Sequence, residues 1–187
     1  MLLDVEGARE PPRDGQQPAG VLVPLFAPQG PLDDPAALGV VLTRRRADMR
    51  RHAGEISFPG GRRDPRDQDL LDTALREAEE EIGLPAADVT VIGALHPVST
   101  FVTNYAIHPF VGLLGTGREW RLSPREVDEV LELTLGQLRD GFAPVTIERR
   151  GLSFATDAYT VDGNVIWGAT ARILADLLAR LGLVDPA

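Results

Sequence analysis

Apolar positions along this chain recur with two different periods, and the switches between them mark its elements. Val21 to Phe26 and Gly39 to Arg44 are short apolar runs that read as strands. Gln29 to Ala37 between them carries Pro and Asp and reads as a loop. Residues 69 to 82 change to a helical period. At about 100° per residue, Leu71, Ala74, Leu75, Ala78 and Ile82 fall on one stripe. Asp67 or Asp69 can cap the start of this helix, and Gly83 stands where a helix commonly ends. Asp88 to Ala94, Ala106 to Leu114 and Val127 to Leu133 return to strand-like patterns. Gly151 to Thr160 alternates apolar and polar residues and suits a hairpin arm, with Asp162-Gly163 as a turn. Trp167 to Leu183 reads as a second amphipathic helix, with Ala169, Ile173, Leu174, Leu177, Leu178 and Leu181 on its buried stripe.

Strands and helices intermix, which predicts an α/β sandwich with a mixed β-sheet between helices. Residues 1–19 are polar and rich in Pro and Gly, and are expected to form a flexible or irregular arm. Residues 20–187 are expected to form a single domain, since a chain of 187 residues can bury one proper core.

Composition narrows the chemistry. There is no cysteine, so neither disulfides nor thiol catalysis carries function. No apolar run reaches the length of a membrane span, and the N-terminus lacks a basic region followed by an apolar stretch. A cytoplasmic protein with no membrane partner is expected. The net charge of −9 argues against a nucleic-acid partner, which would favour a basic surface. All 19 basic residues are arginine, which codon bias explains. Arg44, Arg45, Arg46, Arg50 and Arg51 nevertheless cluster tightly. Arginine binds phosphate oxygens through two parallel hydrogen bonds, so this cluster is a candidate phosphate site, with His52 among it. His96 and His108 are scattered and read as structural.

The densest charge in the chain lies on the first helix. Glu77, Glu80 and Glu81 are spaced i, i+3, i+4 and share one face, while Glu79 points away. Three carboxylates on one turn repel each other, and no basic residue at i+4 relieves them. A hard divalent cation would, because it prefers oxygen ligands and keeps sites open for waters and phosphates. Gly60 and Gly61 allow the backbone to approach such a site and offer it a carbonyl or an amide.

These residues resemble the Nudix box, GX5EX7REUXEEXGU, where U is bulky and aliphatic. Arg76, Glu77, Glu80, Glu81 and Gly83 match its second half, with Ala78 and Leu84 at the U positions. In the first half Asp67 stands in place of Glu, and one extra residue separates it from Arg76. Upstream, Val41-Leu42-Thr43-Arg44-Arg45, Arg50, Gly54 and Ile56-Ser57-Phe58-Pro59-Gly60-Gly61 are similar to LLTXR(SA)X3RX3GXVXFPGG, the signature of the coenzyme A pyrophosphatase branch. Arg46 departs from it, standing where a small residue is usual. His96-Pro97-Val98-Ser99, Pro109-Phe110-Val111-Gly112 and Ile166-Trp167-Gly168-Ala169-Thr170 also resemble that branch.

The resemblance implies a Nudix fold and hydrolysis of the diphosphate bond of coenzyme A and its derivatives, giving 3′,5′-ADP and 4′-phosphopantetheine. It implies Mg²⁺ or Mn²⁺ as cofactor, with Glu77, Glu81, Glu80 and the Gly60 carbonyl as ligands. Glu80 is a further ligand or the base. Arg76 is expected to orient the glutamates. Glu129 is the candidate for an additional acid from outside the box, with Glu126 and Asp128 as competitors. Arg45 and Arg50 match the upstream signature; with Arg44 and His52 they are the candidate substrate-binding residues. Two alternatives stand beside this reading: a broader hydrolase of nucleoside-diphosphate-linked molecules such as ADP-ribose, and a non-catalytic nucleotide sensor.

Overall fold

The computed structural model describes residues 1–9, 15–28, 34–48, 54–100, 104–115, 118–149 and 151–185. A mixed sheet forms the middle layer. Its strands are β1 (Gln17–Phe26), β2 (Gly39–Arg45), β3 (Ile56–Ser57), β4 (Gly60–Arg62), β5 (Val89–Ala94), β6 (Val98–Thr100), β7 (Tyr105–Leu114) and β8 (Val127–Thr134). β1 runs parallel to β7 along its whole length, from Gln17 opposite Tyr105 to Phe26 opposite Leu114. It therefore starts four residues before the apolar run that marks it in the sequence, because backbone pairing continues past the buried side chains.

Alternation along the central strands sorts side chains to two cores. Leu22 and Val41 face one side, where they pack with Leu70, Leu71, Ala74, Ala78 and Ile82 of helix α2 (Leu70–Ile82). Val21, Val23, Leu25, Val40 and Leu42 face the other, against Ile173, Leu174, Leu177 and Leu178 of helix α4 (Gly168–Arg180). That second layer also holds the short helix α3 (Leu135–Asp140) and a three-stranded sheet of β9 (Phe142–Arg149), β10 (Leu152–Val161) and β11 (Asn164–Trp167), in the order β11-β10-β9. The architecture is the expected sandwich: helix, mixed sheet, then helices and a small sheet. At the N-terminus, Leu3 bridges to Ala94, and helix α1 (Val5–Arg9) ties to α2 through an Arg9–Asp69 ion pair at 3.1 Å.

One irregularity in the main sheet creates the site. β1 and β2 pair only at Leu25–Val40 and Phe26–Gly39, then diverge. The segment from Ile56 to Arg62 fills the opening like a wedge. β3 pairs with β2 on one side, β4 pairs with β1 on the other, and the Leu22 amide donates to the Pro59 carbonyl between them. Buried Phe58 anchors the wedge in the α4-side core. β3 and β4 are too short to carry a period in sequence, which is why the pattern there predicts only a glycine turn.

α2 begins with Asp69, whose side chain accepts from the Asp72 amide, and ends at Gly83 in the left-handed conformation at φ 69°. It lies directly on β1. A Cβ on Gly20 would sit 2.1 Å from the Leu70 carbonyl oxygen and 3.2 Å from the Ala74 nitrogen. Backbone atoms cannot yield as a flexible side chain can, so the helix must lift if that position gains a methyl. Gly20→Ala is expected to destabilise the fold by on the order of 3 kcal/mol. Urea unfolding reads this out, and an unchanged midpoint would mean that α2 is not seated against β1.

Candidate active site

α2 carries Glu77, Glu80 and Glu81 to the wedge. Glu81 is almost fully buried, with 3% of its side chain exposed. Its Oε1 accepts from Arg45 Nη1 at 3.1 Å, and its Oε2 accepts from the Gly60 amide at 3.2 Å. Burial pushes its pKa up to about 7 despite Arg45, and the neighbouring Glu77 carboxylate adds to the rise. Glu77 lies against Gly61, where a Cβ would fall 2.5 Å from the carboxyl carbon. Burial raises the pKa of Glu77 as well, and Arg76 at 2.9 Å opposes the rise. Glu80 is more open, with 57% of its side chain exposed, and accepts from Arg76 Nη1 at 3.1 Å; contrary to the expectation that no basic residue relieves the trio, Arg76 does so from four residues before Glu80. Glu79 points to solvent, away from the trio.

Arg76 holds this group in place. Besides Glu77 and Glu80, its Nε and Nη2 donate to both oxygens of Asp67, at 2.7 and 3.0 Å. Asp67 is buried and also accepts from the Thr73 hydroxyl and the Asp64 amide. These partners, Arg76 foremost, hold its pKa down at about 2. Of the two aspartates considered as caps, Asp69 takes that role and Asp67 binds Arg76 instead. A shorter acid and a longer spacer arrive together, and the pair is bidentate.

Arg45 has a second acid. Its Nη2 lies 3.5 Å from Glu126 Oε2, and Glu126 contributes to raising the pKa of both Glu77 and Glu81. Glu129, the acid favoured from sequence, lies elsewhere: its carboxylate accepts from Arg44 Nε at 3.0 Å, and Arg44 also donates to Asn164. Arg44 and Arg45 alternate on β2, so they face opposite sides of the sheet. A bulge between them shifts the pairing with β8, so that Arg44 faces Glu129 while Arg45 faces Val127. Asp128 lies near Arg46 at 3.8 Å and the Ala47 amide at 3.3 Å, not beside the glutamates. Arg46 itself pairs with Asp48 and donates to the Pro124 carbonyl. Arg50 and His52 lie outside the described residues, as does Phe101. His96 pairs with Asp176 of α4, and buried His108 contacts the Ala8 carbonyl, so neither joins the group.

A strap not foreseen in the sequence fastens the far end of α2. The Ser123 amide donates to the Glu81 carbonyl at 2.8 Å and the Arg121 amide to the Ile82 carbonyl at 3.1 Å. Two of the carbonyls a helix leaves open are thereby satisfied. The strap is anchored by Arg118 on Asp88 and Trp120 on Glu132.

The NUDIX domain model matches residues 16–149. The chain belongs to the Nudix family. It is similar to a curated relative named an uncharacterized Nudix hydrolase NudL from Salmonella paratyphi B, with 38% identity over 170 residues, spanning 90% of this chain and 84% of the relative. Two solved structures share the fold. A MutT/nudix family protein from Enterococcus faecalis aligns at a TM-score of 0.56 with 16% identity, covering 94% of this chain and 77% of that one. A C. elegans Ap4A hydrolase binary complex aligns at 0.51 with 19% identity, covering 63% and 80%. The chain is thus a Nudix hydrolase, an enzyme of the diphosphatase kind, from a family that generally uses divalent metal ions.

The donor set suits such an ion in kind: only carboxylate and backbone oxygens are offered, two of the carboxylates are desolvated, and these two repel one another. Among the described residues no three acidic or histidine side chains are drawn together closely enough to enclose a cation. Arg45 and Arg76 supply the positive charge beside Glu81 and Glu77. Among the described residues, no helix is long and apolar enough to cross a membrane.

Glu81 gives the metal-free protein a pH dependence. Its folded pKa of about 7 lies above that of an exposed carboxylate, so between the two values the folded state keeps a proton the unfolded state has lost. This contribution therefore falls as pH rises through about 4.5 to 7 and is gone above it. Glu81→Gln should remove the slope and stabilise the chelator-treated Nudix protein near pH 8 by on the order of 2 kcal/mol. Thermal unfolding across that range measures it, and parallel curves for the two proteins would rule the idea out.

Proposed function

We propose that this Nudix hydrolase cleaves the diphosphate bond of coenzyme A and its derivatives, using Mg²⁺ or Mn²⁺. The observation that supports a diphosphate substrate most directly is the enclosure of the Glu77 and Glu81 carboxylates beside Gly60-Gly61, with arginines at the same place. The coenzyme A reading rests on the upstream signature. Its residues Val41 to Arg45 lie in β2 and Ile56 to Gly61 in the wedge, the two elements that border those carboxylates. Arg46, where the signature departs, is engaged by Asp48 and Pro124 rather than by the glutamates, so the departure leaves the carboxylate group untouched.

Glu77 and Glu81 would hold the metal, with Glu80 and the Gly60 carbonyl as further ligands. When bound, the ion would neutralise the diphosphate and lower the pKa of a water. The residues of the chain do the rest. Arg76 fixes Glu77 and Glu80 through its bond to Asp67. Glu80, the most exposed of the three, is open to accept the proton of the attacking water. Arg45, with Arg50, binds phosphate oxygens, whereas Arg44 faces the other side of the sheet and pairs with Glu129 there. Glu126 is the acid from outside the helix, in preference to Glu129, because it shares Arg45 with Glu81.

Product analysis tests both levels of this reading. Coenzyme A, dephospho-CoA, ADP-ribose and NADH are incubated with the protein and Mg²⁺, Mn²⁺ or chelator. Metal-dependent release of 3′,5′-ADP, well above turnover of the others, is expected. Preferential cleavage of ADP-ribose or NADH would favour the broader hydrolase. Glu81→Gln should lower turnover by about a thousandfold or more while the fold survives, and turnover near that of the native protein would remove Glu81 from the site. Arg50→Ala should raise KM for coenzyme A more than for dephospho-CoA if Arg50 reads the 3′-phosphate; equal effects would show that it does not.

A further inference from the structure

The stretch Ile166-Trp167-Gly168-Ala169-Thr170, similar to the coenzyme A pyrophosphatase branch, lies across the main sheet from the carboxylates on α2. β11 passes into α4 there without an intervening loop, and Gly168 turns the chain at φ 67°. Residues with a side chain rarely take that conformation, so glycine suits the junction. The first turn of α4 meets the wedge. Ile166 and Ala171 share one buried cluster with Ile56 and Phe58. Thr170 is buried among them, and its hydroxyl donates to the Ile56 carbonyl at 3.1 Å.

That carbonyl needs a partner from outside the sheet. The Glu55 carbonyl accepts from the Arg45 amide and the Ser57 carbonyl from the Thr43 hydroxyl, both donors standing on β2. Successive carbonyls of an extended chain point opposite ways. The Ile56 carbonyl between them therefore points away from β2, into the gap where β1 and β2 have parted. A buried carbonyl left without a donor is costly, so the Thr170 hydroxyl is a specific tether between α4 and the wedge. Four residues after Ile56, the Gly60 amide donates to Glu81.

We propose that Thr170 is a positioning residue for the hydrolysis: by holding the Ile56 carbonyl it fixes the wedge, and with it Gly60, against Glu81. The inference rests on the reading that the Gly60 carbonyl joins Glu77 and Glu81 at a divalent cation. The wedge has little rigidity of its own. β3 is two residues long and β4 three, so few ladder bonds fix it. Its position is set by what it leans on: Phe58 in the core, the two short pairings, and Thr170. Ligand geometry tolerates little error, and loss of an outer partner of a metal ligand costs roughly 10- to 100-fold in affinity or rate. α4 thus has a part in the site although it carries none of the carboxylates.

Three variants of the full chain test this. Thr170→Val removes the hydroxyl and keeps the side-chain shape, and Thr170→Ser keeps the hydroxyl. Ile173→Val, further along the same buried stripe, controls for a general loosening of α4. Should the valine variant fail to fold by circular dichroism, Thr170→Ala makes the same deletion with a better helix former. Mn²⁺ binding without substrate is read by electron paramagnetic resonance. kcat and KM are measured at saturating Mg²⁺ with whichever substrate product analysis shows to be cleaved best. Thr170→Val should weaken Mn²⁺ binding by about fivefold or more and lower kcat by about tenfold, with KM little changed. Thr170→Ser should bring both back to within about twofold of native, and Ile173→Val should leave them there. Native Mn²⁺ binding and turnover in the folded deletion variant would overturn the proposal. So would equal losses in Thr170→Ser or in Ile173→Val. A native protein that binds no Mn²⁺ would overturn the metal reading itself, and the inference with it.

Discussion

A carboxylate moved out of water must find charge and hydrogen bonds or take up a proton, and the architecture around α2 follows from how Glu81 meets that demand. Its partners come from separate elements: the Arg45 guanidinium from β2 and the Gly60 amide from β4. They can converge only because β1 and β2 diverge and admit the wedge, and because Gly20 lets α2 lie on β1. The strap at Arg121 and Ser123 then holds the helix end. Even so, burial outweighs these partners, and the pKa stays raised. The fold holds a destabilised acid where a cation could be received, the usual arrangement of a functional site at a local cost in stability.

Alternation along β2 explains why adjacent arginines part company. Arg45 turns toward α2 and reaches Glu81 and Glu126, while Arg44 turns toward the second layer and reaches Glu129 and Asn164. The bulge between them leaves Arg44 opposite Glu129 and sets Val127 instead of Asp128 opposite Arg45, next to Glu126. A bulge leaves almost no mark in sequence. The sequence favours Glu129 because it stands just before the strand-like stretch Val130 to Leu133, whereas in the structure Glu129 pairs with Arg44 and its competitor Glu126 lies beside Arg45.

Most of the remainder was legible where a period could build up. α2, thirteen residues long, announces itself through its apolar stripe, an aspartate cap and a terminal glycine, and its acidic face follows from the same geometry. The β10–β11 turn was equally plain, since Asp162 and Gly163 both take positive φ as an Asp-Gly pair readily does. α4 starts one residue later than its pattern, with Trp167 at its cap position. β3, β4 and β6 were missed because two or three residues cannot show alternation. β9 was missed because Pro144 interrupts it, although proline is tolerated on an edge.

Arginine is what allows so many acids to gather in this chain. A planar fork of five donors can serve several carboxylates at once, whereas an ammonium is a single point charge. Arg76 binds Asp67 in bidentate fashion while still reaching Glu77 and Glu80, and Arg45 spans Glu81 and Glu126. In a chain with a net charge of −9 and no lysine, these two side chains hold the glutamates together against their own repulsion. A divalent cation arriving here would meet carboxylates already engaged with arginine. It would have to compete with guanidinium groups for Glu77 and Glu81 rather than fill an empty space.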